Sequence, residues 1–283
     1  MSSNSGILWI VATPLGNPGD LSPRAAEVLS GVDGVLAEDT RRTGLLLARL
    51  GIDVPAFTSL HDHNEEARLP RVLAWLKEGR NLALVSDAGT PLLSDPGFRL
   101  VRACREEGIR VSPLPGPCAP IAALSASGLP PQPFAFLGFA PRKESERRAF
   151  FAPWADLPAT LAFFERKDRL ADTLQSALAV LGGREVCVAR ELTKPYEEFI
   201  FFPLEAYAES LPEELLGEIT VLLGPPGRIS RTREETVDGI LREEADKGGK
   251  PRDVARRALQ RVRGWSGKEL YQRLRECGRG EAL

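Results

Sequence analysis

The sequence predicts an α/β protein: two α/β domains followed by a small C-terminal helical module. Three observations carry this. Short apolar runs alternate with helical patterns from Ile7 to Leu114. A Pro-rich break, Gly128-Leu129-Pro130-Pro131-Gln132-Pro133, is followed by a second series of the same kind. Beyond Gly224-Pro225-Pro226-Gly227 the pattern turns all-helical. A chain of 283 residues has room for two or three domains. We take these as 1–118, an N-terminal α/β domain; 119–227, a second α/β domain; and 228–283, a helical module.

In the first domain, strands are expected at 7–11, 32–37, 54–57, 82–86 and 110–114. Helices fill the intervals at 23–30, 41–50, 65–78 and 96–107. Ser22-Pro23, Thr40, Asn64 and Asp95-Pro96 open them, with side chains or a proline suited to a first turn, and Gly51, Gly79 and Gly108 close them. Strands separated by helices imply a mostly parallel sheet with right-handed crossovers. A helix at 117–127 leads into the Pro-rich linker. The second domain has strands at 134–139, 159–164, 185–190, 198–202 and 218–223, with helices near 143–152, 169–181 and 204–210. Helices at 233–246, 251–263 and 267–276 complete the chain. Gly264-Trp265-Ser266-Gly267-Lys268 has the wrong spacing for a phosphate loop and follows no strand, so it reads as a helix connector.

Composition narrows the function. Hydrophobic residues make up 43% of the chain, enough for sizeable cores, yet no apolar run reaches the length of a membrane span. The N-terminal Met1-Ser2-Ser3-Asn4-Ser5-Gly6 is polar and lacks the regions of a signal peptide, so a cytoplasmic location is expected. Cys104, Cys118, Cys187 and Cys277 are scattered and suggest neither disulfides nor zinc. His61 and His63 form an HxH pair without an evident third ligand, and no metal is expected. The net charge is −2, but Lys247 to Arg279 carries eleven Lys/Arg against three Asp/Glu. That asymmetry fits either a surface for an anionic partner, nucleic acid first, or a solvated helical face.

The chemistry-bearing segment is Ser86-Asp87-Ala88-Gly89-Thr90-Pro91-Leu92-Leu93-Ser94-Asp95-Pro96-Gly97, a small-residue loop after an apolar strand. Open α/β sheets bind ligands at such strand ends. The loop carries neither GxGxxG nor GxxxxGK[ST], which argues against dinucleotides and nucleoside triphosphates. Two more strands end in comparable loops, Thr13-Pro14-Leu15-Gly16-Asn17-Pro18-Gly19-Asp20 and Pro115-Gly116-Pro117-Cys118-Ala119-Pro120. Each alone is an ordinary turn; together they point to one pocket.

These loops, with Ala37-Glu38-Asp39-Thr40-Arg41-Arg42-Thr43, Gly138-Phe139-Ala140-Pro141-Arg142-Lys143, Ala189-Arg190-Glu191-Leu192-Thr193-Lys194 and Gly217-Glu218-Ile219, resemble the ribosomal RNA small subunit methyltransferase I family of the tetrapyrrole-methylase superfamily. The resemblance covers essentially the whole chain. It implies two α/β domains with S-adenosylmethionine in the cleft between them, usually in a homodimer. It also implies methyl transfer to the ribose 2′-hydroxyl of a cytidine in 16S rRNA. By this resemblance the cofactor residues are Leu15 and Gly16; Asp87, Ala88, Gly89, Thr90 and Leu93; Cys118 and Ala119; and, from the second domain, Phe164, Glu165 and Thr193. S-adenosylmethionine carries no phosphate, which suits loops that offer backbone and shape. Methylation of a tetrapyrrole, and a non-catalytic RNA-binding assembly role, are the alternatives; the basic tail argues against the first and the intact loops against the second.

A ribose hydroxyl is a poor nucleophile, so a proton acceptor is expected, with Asp39 the first candidate. Its competing role is an ion pair at a helix N-terminus. Arg41 and Arg42 suit flanking phosphates. His63 and Asn64 are further substrate candidates, with capping as the alternative, as are Arg142, Lys143 and Arg169 and their neighbours Arg147 and Arg148. Two departures stand out. The family commonly has Glu-Ser-Pro-His-Arg where this chain has Glu165-Arg166-Lys167-Asp168-Arg169, and Cys118 sits where a small hydroxyl residue is common.

Overall fold

The fold was analysed in a computed structural model that describes residues 5–227, 232, 234–262 and 265–280, the last five by backbone alone. The polar stretch 1–4, the expected module boundary at 228, and residues 233, 263 and 264 of the expected tail elements lie outside the described residues. The chain divides into two compact units, 1–225 and 226–283.

The first unit holds two five-stranded sheets. Strands β1 (Ile7–Val11), β2 (Gly34–Ala37), β3 (Phe57–Ser59), β4 (Leu82–Val85) and β5 (Arg110–Leu114) form the first, in the order β3-β2-β4-β1-β5. Every pairing is parallel. Helices α1 (Pro23–Gly31), α2 (Thr40–Arg49), α3 (Glu65–Lys77) and α4 (Phe98–Glu106) make the crossovers. Alternate residues of the central strands feed two cores. Leu8, Leu36 and Leu84 pack with Leu60, Leu76 and Leu100 on one face; Val11, Val35 and Val85 pack with Leu29 and Leu47 on the other. Helices cover both faces, so β2 and β4 are buried along their whole length and read as continuous apolar runs. Ser22 starts α1 as expected, its hydroxyl accepting from the Ala25 N–H at 3.1 Å.

Several boundaries differ from expectation, two of them for a plain physical reason. Strand β3 begins at Phe57 because Pro55 has no N–H to offer a ladder. Helix α4 begins at Phe98, not at Pro96, because Gly97 interposes a left-handed residue (φ 119°). Asp95 therefore lies outside the helix.

Helix α5 (Ala119–Ala126) crosses to the second half. There β6 (Phe134–Phe139), α6 (Glu144–Phe151), β7 (Thr160–Glu165), α7 (Leu170–Leu181), β8 (Glu185–Arg190), β9 (Glu198–Pro203), α8 (Tyr207–Ser210) and β10 (Ile219–Leu223) follow. Their sheet order is β6-β7-β10-β8-β9; β6 and β7 run parallel, and the other pairs antiparallel. Phe151, Phe163, Leu174 and Val221 form the core under α6 and α7. On the opposite face, Ala123 and Leu124 of α5 pack against Ala162, Cys187 and Leu222. Arg147, expected on a basic surface, is buried: its Nε donates to Ser176 Oγ (3.1 Å) and its Nη1 to the Arg142 carbonyl (2.6 Å).

The second unit contains α9 (Glu234–Asp246), α10 (Pro251–Leu259) and α11 (Gly267–Gly280) around Val237, Leu241, Val254, Ala258 and Leu270. Buried Glu244 is paired with Lys247, Arg257 and Arg261, and Asp238 with Arg273. Acids of α9 thus pair with four cations of the basic run that follows, Lys247, Arg257, Arg261 and Arg273.

Candidate active site

The three strand-end loops are stitched to one another. Thr13 and Gly89 exchange both backbone hydrogen bonds, at 2.9 and 3.0 Å. The Thr13 hydroxyl donates to the Ser86 carbonyl (3.0 Å), and the Thr90 hydroxyl to the Pro117 carbonyl (2.9 Å). Gly89 has φ 82°, a left-handed conformation that favours glycine, and a Cβ there would also crowd Leu15 Cδ2 at 3.0 Å. Buried hydroxyls and amides satisfied in this way hold the loops to one geometry.

Together these loops form one wall of a cavity of about 560 Å³, within the size range of small-molecule sites. Leu15, Asp87, Ala88, Gly89, Thr90 and Leu93 line it from the first half, and Ala119 from the start of α5. Phe164 and Glu165 line it from the second half. Phe164 is braced by Phe136 and Phe139, with ring centroids 4.9 and 5.2 Å away.

Three of the expected cofactor residues lie off the lining. Cys118 is the residue before α5. Gly16 and Thr193 instead join the two halves. Thr193 Oγ1 accepts from the Asn17 N–H at 3.1 Å. The Lys194 side chain crosses Gly16 so closely that a Cβ on Gly16 would stand 2.2 Å from Lys194 Cγ. Lys194 is in turn held by Glu191 (2.9 Å) and Glu218 (3.2 Å). Glu191 and Thr193 both have positive φ, 52° and 65°, unusual for residues with side chains.

Glu165 lines the cavity, yet its carboxylate is committed inward. Oε1 accepts from Arg166 N (2.7 Å) and Arg169 Nη2, and Oε2 from the Thr173 hydroxyl (2.6 Å). Arg169, expected to contact substrate, is therefore an internal partner that fixes the divergent 166–168 turn. That turn places Arg166, Lys167 and Asp168 on the lining.

Asp39 lies outside the lining. It is the N-cap of α2, with Oδ1 accepting from Arg41 N at 2.9 Å. This bond, with help from the Arg41 side chain, holds its carboxyl below the usual aspartate range. The structure thus gives Asp39 the capping role. Arg41, largely exposed, makes a long pair with Asp39 at 3.5 Å, whereas Arg42 pairs with Asp87 at 3.2 Å. Asn64 precedes α3 without capping it; it closes its own turn through His61 N (2.9 Å) and the Ser59 carbonyl (3.2 Å). His63, Arg142 and Lys143 are exposed, Lys143 pairing with Glu146 at 3.1 Å. Arg148 pairs with Glu144 at 2.8 Å.

The lining also includes residues that sequence reasoning did not assign to the site. Asp95 is the most consequential, because burial and the charges of Glu38, Asp87 and Asp62 push its carboxyl up to about 6, against a pull from the Ser86 hydroxyl. Glu38 is raised for the same reasons, burial first. Leu192, Phe139 and the Gly217–Thr220 segment complete the second wall. Phe139, Leu192, Gly217, Glu218 and Ile219 stood within recognised motifs, which was the available signal; nothing local marked Thr220. Among the described residues no cluster of His, Cys, Asp and Glu converges as a metal site, and no helix is long and apolar enough to cross a membrane.

Comparison with known proteins decides the family. The Tetrapyrrole (Corrin/Porphyrin) Methylases family model matches residues 7–208. The ribosomal RNA small subunit methyltransferase I of Haemophilus influenzae is 42% identical over 276 residues, covering 96% of this chain and 97% of that protein. The chain belongs to the ribosomal RNA small subunit methyltransferase I family. The Escherichia coli O157:H7 member is 55% identical over 196 residues, 69% of this chain and 68% of that protein. Solved structures share the methyltransferase I fold at lower identity. Uroporphyrin-III-C-methyltransferase from Thermus thermophilus aligns with a TM-score of 0.57 and 23% identity, covering 77% of this chain and 94% of that one. A structure of the Thermus enzyme complexed with S-adenyl homocysteine aligns with a TM-score of 0.55 and 20% identity, over 77% of this chain and 97% of that one.

Proposed function

We propose that this chain methylates the ribose 2′-hydroxyl of a cytidine in 16S rRNA of the small ribosomal subunit, using S-adenosylmethionine, as a cytoplasmic homodimer. The observation that carries the reading is end-to-end similarity to ribosomal RNA small subunit methyltransferase I proteins in a chain whose cleft has small-residue loops without a phosphate-binding motif on one wall.

The cleft fits the cofactor. Leu15, Leu93, Phe164 and Leu192 offer apolar surface to an adenosine, and Gly89 leaves room where a Cβ would press on Leu15. Asp87 and Asp95 supply negative potential suited to a sulfonium. When bound, the cofactor supplies an electrophilic methyl group. The chain's task is to hold a hydroxyl in line with that group and keep water out, and such alignment can supply a large share of the rate. Arg166 and Lys167 on the lining, and the exposed Arg41 at the start of α2, offer cations suited to phosphates flanking a ribose. Arg42 serves this purpose indirectly, by fixing Asp87.

The test is methyl transfer from labelled S-adenosylmethionine to unmethylated small subunits, naked rRNA and a tetrapyrrole, run side by side. Label on one alkali-resistant ribose linkage supports the reading. Label on the tetrapyrrole alone overturns it.

A further inference from the structure

We propose that a second cavity, beside the cofactor cleft, receives the base of the nucleotide whose ribose is methylated and selects cytosine by its exocyclic amino group. The proposal rests on the ribose-methylation reading above and adds where the base of that nucleotide goes.

The second cavity measures about 790 Å³, within the size range of small-molecule sites. It lies among the start of α7, the short helix α8 and the 211–216 segment that leads toward β10. Lys167 and Asp168 line it, and both also line the cofactor cleft. These two residues are therefore a wall common to both spaces. The wall is braced, because Arg166 binds Asp168 at 3.0 Å and Arg169 is anchored on buried Glu165. A ribose held at a transferable methyl group carries its base on the neighbouring carbon, so the base needs room directly beside the cleft. Enzymes and binding proteins that read RNA bases take them out of the stack to do so.

The lining suits a neutral base and not a phosphate. It carries three carboxylates, Asp168, Glu213 and Glu214, against one cation, Lys167. Such a surface repels phosphate oxygens and accepts hydrogen bonds from a ring that carries donors. Lys167, on the shared wall, is the cation available to a phosphate of the same nucleotide. The apolar part of the lining includes Tyr207, which packs on the core under α6 and α7 and is only half-buried. An aromatic ring so placed is a surface on which an unstacked base can lie.

The carboxylates divide by availability. Asp168 is taken by Arg166, which holds its carboxyl below the usual range. Glu213 and Glu214 are exposed and pair with no cation among the described residues. A carboxylate accepts from the amino group of cytosine. Uracil presents a carbonyl oxygen at the same ring position, which a carboxylate repels. The two glutamates thus distinguish the bases by a single functional group.

The experiment compares wild type with the double variant Glu213→Gln/Glu214→Gln in single-turnover methyl transfer. Two preparations of small subunits are used, with cytidine or uridine at the nucleotide that takes the label. Wild type is expected to be at least about tenfold faster on cytidine. A glutamine amide can accept from cytosine or donate to uracil, so the variant should treat the two within about threefold, with S-adenosylmethionine affinity by calorimetry within about twofold of wild type. Tyr207→Ala should raise KM for small subunits about tenfold, and Tyr207→Phe, which keeps the ring, should restore it. Because Tyr207 also packs on the core, the glutamate variant decides the matter where Tyr207→Ala fails to fold. A wild type without preference, or a double variant that keeps it, overturns the proposal and leaves the ribose-methylation reading standing. A wild type that labels no RNA overturns both.

Discussion

Replacing Glu165 with alanine removes the carboxylate around which the second wall of the cleft is built. The Glu165 side chain is fully buried and that of Arg169 is 18% exposed. After the substitution Arg169 keeps only a long bond to the Ala140 carbonyl (3.4 Å), and its Nε already has no partner among the described residues. Stranding one half of a buried ion pair costs about 3–5 kcal/mol, and the partial exposure of Arg169 favours about 3. Thr173 also loses the acceptor of its buried hydroxyl, for about 1 kcal/mol more. The expected loss is about 4 kcal/mol. In a unit of 225 residues this lowers Tm by about 8–16 °C. Glu165→Gln keeps the volume and an acceptor oxygen but not the charge, and should cost about 1–2 kcal/mol. Calorimetric melting and urea unfolding of the three proteins measure both effects. An alanine variant within 1 kcal/mol of wild type, on the scale of an exposed pair, would refute the reasoning, because the pair would then behave as a surface one.

Ala88 lines the cavity with an ordinary backbone, so Ala88→Trp should fill the cleft without strain and weaken S-adenosylmethionine binding at least about 100-fold by calorimetry, about 2.7 kcal/mol; unchanged affinity places the cofactor elsewhere. Asp95 binds its proton more tightly folded than unfolded, so its carboxylate opposes folding fully above pH 6 and ceases to do so as pH falls toward 4. Discounted for its partial exposure, Asp95→Asn should stabilise the protein by about 1–2 kcal/mol at pH 8 and by nothing near pH 4, read from melting across that range. Removing residues 226–283 should weaken rRNA binding about tenfold and flatten its salt dependence while sparing cofactor affinity; equal RNA affinity assigns the module a structural role.

The first wall was legible because its residues are contiguous with strand ends. An apolar run followed by small residues marks both the strand and the loop it delivers, and β1 and β5 fall on their expected bounds. The second wall was less so. Its Phe139, Leu192 and Gly217–Thr220 come from separate segments brought together by β6, β8 and β10. Asp95 was hidden by a valid local signal, since Asp-Pro is a good helix opening; the left-handed Gly97 defeats it two residues later. Charge was the least legible property. Arg147 and Arg169 read as surface cations, but Ser176 and Glu165, distant or differently committed, draw them inward. The basic tail likewise looked stronger than it is, because Glu244 and Asp238 on α9 bind Arg257, Arg261 and Arg273.

The tie between Asn17 and Thr193, with Lys194 lying across Gly16, has a consequence for how such chains can be recombined. The natural place to join halves of two relatives is the Pro-rich stretch at 128–133. A hybrid made there would inherit residues 15–17 from one parent and 191–197 from the other. Any parent with a side chain at position 16 could not accept this strap, so the two short segments form a single heritable part despite the sequence separation of 176 from Asn17 to Thr193. Exchanging them together should restore a hybrid that the simple join breaks.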